Sequence, residues 1–330
     1  MNKIKKELLF LQSEKANIKI RELADLLKKS SQRLKYSIDT IEKQEIIYNP
    51  HCIFDYSYFG LILFRVYFKE AYISEKDKYH IISRLSADEN VVAVYEISGE
   101  FDLVVEIESQ NPSRFNKVIK KIADEFPTLS HYKIILNVVT HLYPRYYMIE
   151  DKTLQSLVKP QIIIGGDREI EQFDKNDLAV MKNLLDNPRS RLTTLAKQSG
   201  LNIKTAKSAL KDLQERSIIK GFRYVVDVNK LDITKFRLFL HLHNLSHERE
   251  QDLQEYLKNT SEVIQVNKTV GDWDIEIDIE SSDKTRIRKL IFEMREVFKD
   301  IIETFNMMEF YKYYKRSYLP ECYFRQEQTN

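Results

Sequence analysis

Apolar positions along this chain switch between two periods. Between 174 and 228 the period is helical. Leu178, Met181, Leu184 and Leu185 recur at three- and four-residue spacing, as one buried helix face requires. Asp174 is placed to cap that helix, with Asp177 three residues on, and Pro188 stops it. Thr193 to Gln198 predicts a second short helix carrying Leu195 and Ala196, Gly200 a tight turn, and Asn202 the cap of a third helix. In that third helix Leu210 and Leu213 point inward and Ala206 and Ala209 allow close approach. Ile218-Ile219 then opens an extended stretch to Val228, expected as a hairpin. Three short helices and a hairpin are the order of a winged helix-turn-helix. Residues 1–52 follow the same plan: Leu8 and Leu11 mark helix one, Ile20 to Leu27 helix two, and Ser30 or Ser31 caps a helix with Leu34, Ile38 and Ile41 inward.

Elsewhere strand-like runs alternate with helical ones. The first set reads Leu61–Phe68 strand, Glu75–Ser86 helix, Val91–Ser98 strand, Leu103–Glu108 strand, Phe115–Phe126 helix and Tyr132–Leu142 strand. The second reads Phe236–His243, His247–Leu257, Val263–Val270, Trp273–Ile279, Lys284–Phe298 and Ile301–Tyr311. This βαββαβ order is the split-βαβ, ferredoxin-like arrangement. Its helices cover one sheet face, so the other needs a partner. A face-to-face pairing of the two copies, or of copies from two chains, is expected.

The two sets are copies. Leu23-Ala24 recurs as Leu195-Ala196, Ile46-Ile47 as Ile218-Ile219, and Gly99-Glu100-Phe101-Asp102 as Gly271-Asp272-Trp273-Asp274, each 172 positions on. Tyr143-Pro144-Arg145-Tyr146-Tyr147 matches Tyr314-Lys315-Arg316-Ser317-Tyr318 at 171. The predicted fold class is α+β, with two winged helix-turn-helix domains alternating with two ferredoxin-like domains. The boundaries are 1–52, 53–150, a linker over 151–172 punctuated by Pro160 and Gly165-Gly166, then 173–228 and 229–330 with a C-terminal tail. In the linker Ile162-Ile163-Ile164 offers a contact to a domain, and the tyrosine-rich Tyr311–Tyr323 reads as an aromatic strand buried at a subunit contact.

Composition adds little until it is divided. The 330 residues carry a formal net charge of +2. Residues 1–49 hold 11 basic against 7 acidic side chains and residues 174–223 hold 11 against 5, so two basic islands sit in an acidic remainder. Each island is a candidate polyanion-facing surface. Two cysteines, Cys52 and Cys322, provide no disulfide framework and suit a reducing cytoplasm. The apolar run Leu8–Leu11 is too short for a signal segment, and no run of about 18 apolar residues predicts a membrane span.

The third helices carry the candidate chemistry. Their outer faces present Ser31, Gln32, Arg33, Lys35, Tyr36 and Asp39 in the first copy, and Asn202, Lys204, Thr205, Lys207, Ser208 and Lys211 in the second. Lysine and arginine suit phosphates or guanine edges; Ser, Thr, Asn and Gln suit base edges or backbone. A charged helix face is ordinarily just solvated, but helix order, turn position and basic face all recur. Lys28 stands where the second copy has Gly200, so the first turn must be strained or different. His241, His243 and nearby His247 lack a carboxylate or cysteine at metal-ligand spacing, and Gly165-Gly166 lacks the Lys-Ser/Thr of a phosphate loop. Neither a metal, a cofactor nor a catalytic nucleophile is expected.

The second-helix Leu-Ala, the Ile-Ile entry to the wing and the Gly-x-aromatic-Asp turns together resemble the Lrp/AsnC, or feast/famine, regulators, nearly end to end and twice over. The resemblance implies a sequence-specific transcriptional regulator, not an enzyme, that binds double-stranded DNA and forms a homodimer or larger assembly. It implies a small effector such as an amino acid, with Gly99, Phe101, Asp102, Gly271, Trp273 and Asp274 at the effector-sensing turns. Each of those six also has a structural explanation, because Gly permits positive φ and Asp accepts backbone N–H groups across a turn. Usual members carry one unit per chain; two make a dimer in one polypeptide. Two rivals remain. One is a tetrapyrrole (sirohaem-type) decarboxylase built from the same modules, for which Arg237, His241 and His243 on one strand would be the candidates. The other is a DNA-silent ligand-binding assembly protein.

Overall fold

Four elements form the first head: α1 (Lys3–Glu14), α2 (Ile20–Leu27), α3 (Ser31–Lys43) and β1 (Ile47–Phe54). The first βαββαβ module follows as β2 (Ile62–Phe68), α4 (Glu75–Ala87), β3 (Val91–Ser98), β4 (Leu103–Ser109), α5 (Pro112–Glu125) and β5 (Tyr132–Leu142). A joining segment holds α6 (Lys152–Gln155) and β6 (Ile162–Gly165). The second head is α7 (Lys175–Asp186), α8 (Leu192–Gln198), α9 (Ile203–Glu215) and β7 (Ile219–Val226). The second module is β8 (Thr234–Leu242), α10 (His247–Asn259), β9 (Val263–Val270), β10 (Ile275–Ser281), α11 (Lys284–Val297) and β11 (Ile302–Arg316), before a last turn, α12 (Tyr323–Gln326). This computed structural model describes residues 3–326; the first two residues and the last four of the tail lie outside the described residues.

Local chemistry sets the helix starts. Side-chain oxygens of Ser30, Asp174 and Asn202 accept the backbone N–H of Arg33, Asp177 and Thr205 at 3.3, 2.7 and 2.9 Å, each three residues on. The caps expected at Asp174 and Asn202 are therefore in place, and Ser30 rather than Ser31 caps α3.

The expected hairpin is not formed in either head. After β1 and β7 the chain enters short 3-10 turns at Tyr56–Phe59 and Val228–Leu231, so neither head supplies a second strand. The backbone groups of each wing strand are met by the other copy instead. β1 and β7 pair antiparallel, Ile47 opposite Val226 and Phe54 opposite Ile219. Since the repeat offset carries Ile47 onto Ile219 and Phe54 onto Val226, this register is that of a twofold axis. One apolar core, including Leu11, Leu23 and Leu34 from the first head and Met181, Leu195 and Leu213 from the second, binds the heads together.

The modules meet face to face, as the patterning demanded, and their edges join as well. Strand order is β5-β2-β4-β3 in one and β11-β8-β10-β9 in the other. β3 pairs with β11 and β5 with β9, closing eight strands into a barrel without free edges. Outside the barrel, α4 and α5 cover one core around Val105 and Ile119, and α10 and α11 cover another around Ile277 and Leu290. The joining segment is less loose than a linker: β6 pairs with residues 139–142 of β5, burying Ile162 and Ile164. The aromatic strand β11 runs to Arg316, and its buried Tyr313 sits at the junction of modules within one chain rather than between subunits.

Between the sheets the barrel is filled by aromatic rings and by charges. Arg65 donates to Glu106 at 2.9 Å, Asn137 at 2.8 Å and Glu276 at 3.0 Å. Arg237, its equivalent 172 positions on, grips Asp278 through two bonds of 2.6 and 3.0 Å and donates to the Tyr67 hydroxyl at 3.0 Å. Lys235 lies 3.1 Å from Asp278, and Arg316 donates to Glu106 at 2.8 Å. Burial opposes ionisation of Glu106, but Arg316 and Arg65 beside it hold its carboxyl down at about 2.

Candidate nucleic-acid interface

The packing of the heads decides which side of each third helix stays outside. In α9 Ala206, Ala209 and Leu213 are buried, which turns Lys204, Lys207, Ser208 and Lys211 to solvent. Asn202 is exposed at the N-terminus, and Thr205 is half-buried. In α3 the buried Leu34, Ile38 and Ile41 leave Gln32, Arg33, Lys35, Tyr36 and Asp39 exposed, with Ser31 half-buried. Tyr36 is 74% exposed, an unusual position for a large aromatic ring with no partner surface. Neither helix is walled in by the rest of the protein.

The turns that set up these helices differ. Gly200 takes φ +67 with open space where a Cβ would be, whereas Lys28 holds φ 52, the left-handed region that disfavours side chains. Lys28 keeps it because its N–H closes α2 onto the Ala24 carbonyl. The far end of α9 is fixed by Arg216, which reaches Glu171 at 2.6 Å, Asp212 at 3.0 Å and Asp177 at 3.4 Å. Lys211 lies 3.3 Å from Glu215, an exposed pair that leaves the lysine free to swing outward.

The six turn positions occupy one end of the barrel. Gly99 and Gly271 have φ of +148 and +152, which the Gly-x-aromatic-Asp turn needs. A Cβ at Gly271 would sit 2.8 Å from Ile135 Cδ1. Phe101 and Trp273 turn inward and are buried, with ring centroids 6.3 Å apart, and Trp273 Nε1 donates to Glu276 at 3.0 Å. Asp102 Oδ2 accepts the Ala71 N–H at 3.3 Å, and Asp274 Oδ2 accepts that of Leu242 at 2.8 Å. Lys133 spans both turns, 3.5 Å from Glu100 and 2.8 Å from Asp272.

Arg237, a candidate on the enzyme reading, is buried and committed to Asp278 and two tyrosine hydroxyls. His241 is half-buried on the same strand, but His243 lies one residue beyond its end, also half-buried, so the two do not share the strand as expected. Among the described residues no group of three or more potential metal ligands comes together, and no helix is long and apolar enough to cross a membrane.

A cluster that sequence reasoning missed joins heads to barrel. Glu14, at the end of α1, is buried between Arg145 at 3.0 Å and Arg223 of β7 at 2.7 Å. Arg145 also grips Glu280 of β10 at 2.8 Å, and the Tyr147 hydroxyl donates to Glu280 at 2.8 Å. The repeat match over 143–147 and 314–318 singled out Arg145 and Arg316, but nothing in spacing tells a structural arginine from a surface one. The second signal is Arg65 and Arg237 standing 172 positions apart in runs of β formers.

Comparison with known proteins fits this geometry. Residues 173–220 match the winged helix-turn-helix DNA-binding family. An HTH-type transcriptional regulator of Pyrococcus horikoshii is 23% identical over 141 residues, which is 42% of this chain and 94% of that protein. The proline dehydrogenase transcriptional activator of Rhizobium radiobacter is 26% identical over 133 residues, 39% of this chain and 84% of its own. The crystal structure of the siroheme decarboxylase NirDL superposes with a TM-score of 0.58 over 99% of both chains at 13% identity, which establishes a shared tandem fold and leaves chemistry open. The regulators are matched almost whole by less than half of this chain, so part of it is similar to the single unit they carry, and the head at residues 173–220 is similar to winged helix-turn-helix DNA-binding domains.

Proposed function

We propose that this protein regulates transcription by laying α9, and with a weaker grip α3, into the major groove of duplex DNA. The observation that carries this reading is the exposed lysine column of α9, Lys204, Lys207 and Lys211, on a head held in a twofold relation to its twin by the β1–β7 pair. Lysines at that spacing set register through phosphates, while Ser208, Thr205 and Asn202 are placed to read base edges; in α3 Arg33 and Lys35 take the phosphates and Ser31, Gln32 and Tyr36 the bases. The barrel is the sensing and assembly part. The turns at Gly99, Phe101, Asp102 and Gly271, Trp273, Asp274 hold its closed end, and a small metabolite such as an amino acid biases the set of the heads. Assembly beyond one chain uses the outer helix faces, where Phe292 and Val297 of α11 are 63% and 51% exposed. The site of action is the cytoplasm, where free Cys52 and Cys322 stay reduced. Footprinting across genomic DNA, with and without an amino-acid mixture, tests the whole reading. Protected sites that shift with the mixture are expected; no protection anywhere contradicts it.

The decarboxylase reading keeps one specific support, the whole-chain match to the siroheme enzyme. A visible absorbance change on adding an iron tetrapyrrole would favour it. Against it stands the commitment of Arg237 to buried ion pairs.

A further inference from the structure

The wing pair roofs the open end of the barrel. Tyr48 of β1 donates its hydroxyl to the Tyr313 carbonyl at 2.9 Å, Asn49 donates to that of Arg316 at 3.4 Å, and Asn229, just after β7, donates to that of Tyr311 at 2.8 Å. Under this roof lies a cavity of about 60 Å³, lined on several sides by Arg145, Arg223, Arg316, Lys235, Lys312 and His51. Its carboxylates, Glu280 and Asp227, are fewer. Glu280 is already occupied by Arg145, and Asp227 faces Lys230 at 3.8 Å.

The charges in and below this cavity do not cancel. Six cations meet there: Arg65, Arg223, Lys235, Arg237 and Arg316 are buried, and Arg145 is half-buried beside them. The carboxylates that hold them are five, Glu14, Glu106, Glu276, Asp278 and Glu280. Glu108 forms no ion pair with any of them among the described residues, and burial and then Glu106 push its carboxyl upward. Arg223 is 7% exposed, and its Nε is buried without an acceptor. A buried guanidinium donor left unmade is costly, and a buried unbalanced cation more so. His51, lining the same space, is kept neutral by burial and by Arg316, Arg223 and Arg145 around it.

We infer that this cavity is an anion-binding site, one per chain, that receives a single oxyanion group, carboxylate or phosphate, of a small metabolite. Its volume holds such a group together with a water or two, and is far short of what a whole drug-sized ligand fills. The anion satisfies Arg223 Nε, balances the sixth cation and meets Lys312 at the rim. Arg223 and Arg145 both hold Glu14 at the end of α1, so an anion competing for them changes how the first head sits on the barrel. This step rests on the regulator reading, whereas the binding site itself does not.

Titration calorimetry of the full chain with inorganic phosphate, and separately with succinate, tests the site. One anion per chain is expected from at least one probe: phosphate alone identifies a phosphorylated ligand class, succinate alone a carboxylate. Lys312→Ala, which removes no ion pair found among the described residues, is expected to weaken binding about tenfold. Arg223→Lys, which keeps a positive charge facing Glu14 but removes the Nε donor, is expected to do the same. Heat from neither probe, or affinities indifferent to both substitutions, would overturn the proposal. DNA titrations with and without the bound anion then separate the two claims: no DNA binding under any condition removes the regulator and leaves the site standing.

Discussion

The two heads are built from one plan, and they differ on the outer faces of their third helices, where DNA contact is proposed. Along the outer faces of the third helices Gln32 answers Lys204, Lys35 answers Lys207, Tyr36 answers Ser208 and Asp39 answers Lys211. Three exposed lysines on α9 thus correspond to one lysine, one amide and one carboxylate on α3. Inward positions do not diverge in kind: Leu34, Ile38 and Ile41 are buried as Ala206, Leu210 and Leu213 are buried or half-buried. Packing constrains one side of each helix and leaves the other to the partner. On the function proposed above, the second head is the principal reader and the first a weaker contact that fixes spacing.

Substitutions on the outer faces sharpen this contrast most. Changing Lys204 and Lys207 together to Ala should lower affinity for a specific site by about a hundredfold at moderate salt, while Arg33→Ala with Lys35→Ala in the first head should cost about tenfold or less. Fluorescence anisotropy with a labelled duplex reads both, and equal losses would erase the distinction. At the barrel turns the copies should respond differently in stability. Gly271→Ala brings a Cβ to 2.8 Å from Ile135 and 3.3 Å from a backbone carbonyl, so it should cost about 2–3 kcal/mol in a denaturant series. Gly99→Ala meets only the flexible Met308 side chain, and should cost less.

His51 is the counterpart of Arg223, and the exchange introduces a pH dependence. Burial, reinforced by Arg316, Arg223 and Arg145, lowers its pKa from 6.5 to about 3. A histidine depressed in the folded state favours the unfolded chain once that chain takes up the proton. Stability should therefore be full above about pH 6.5 and fall with pH down to about 3, losing about 2 kcal/mol by pH 5. Chemical denaturation at pH 7 and pH 5 measures it, and His51→Gln should flatten the slope. The smallest effect belongs to the turn. Lys28→Gly removes a left-handed strain that Gly200 does not have, and should raise stability by less than about 1 kcal/mol, read as a rise in Tm.

Much of this architecture is legible in the residues. Leu178, Met181 and Leu184 declare α7, Asp174 and Asn202 declare two caps, and the 172-residue offset declares the duplication. What could not be read is whatever depends on one copy meeting the other. Ile47–Phe54 and Ile219–Val226 look like halves of hairpins, and only the assembled chain shows that each completes the other. Arg65, Arg237 and Arg145 are hidden for the same reason, since their partners lie 41, 135 or 211 residues away. The third-helix face was readable because it looks outward, where residue type is chosen by chemistry rather than by packing.

The central claim is best tested by the salt dependence of binding. Affinity for a footprinted duplex, measured by anisotropy over a potassium chloride series, should fall along a straight log–log line, and the line for the Lys204→Ala, Lys207→Ala protein should be shallower by about two in slope, one ion released per lost phosphate contact. Parallel lines for the two proteins would show that α9 does not touch the DNA backbone.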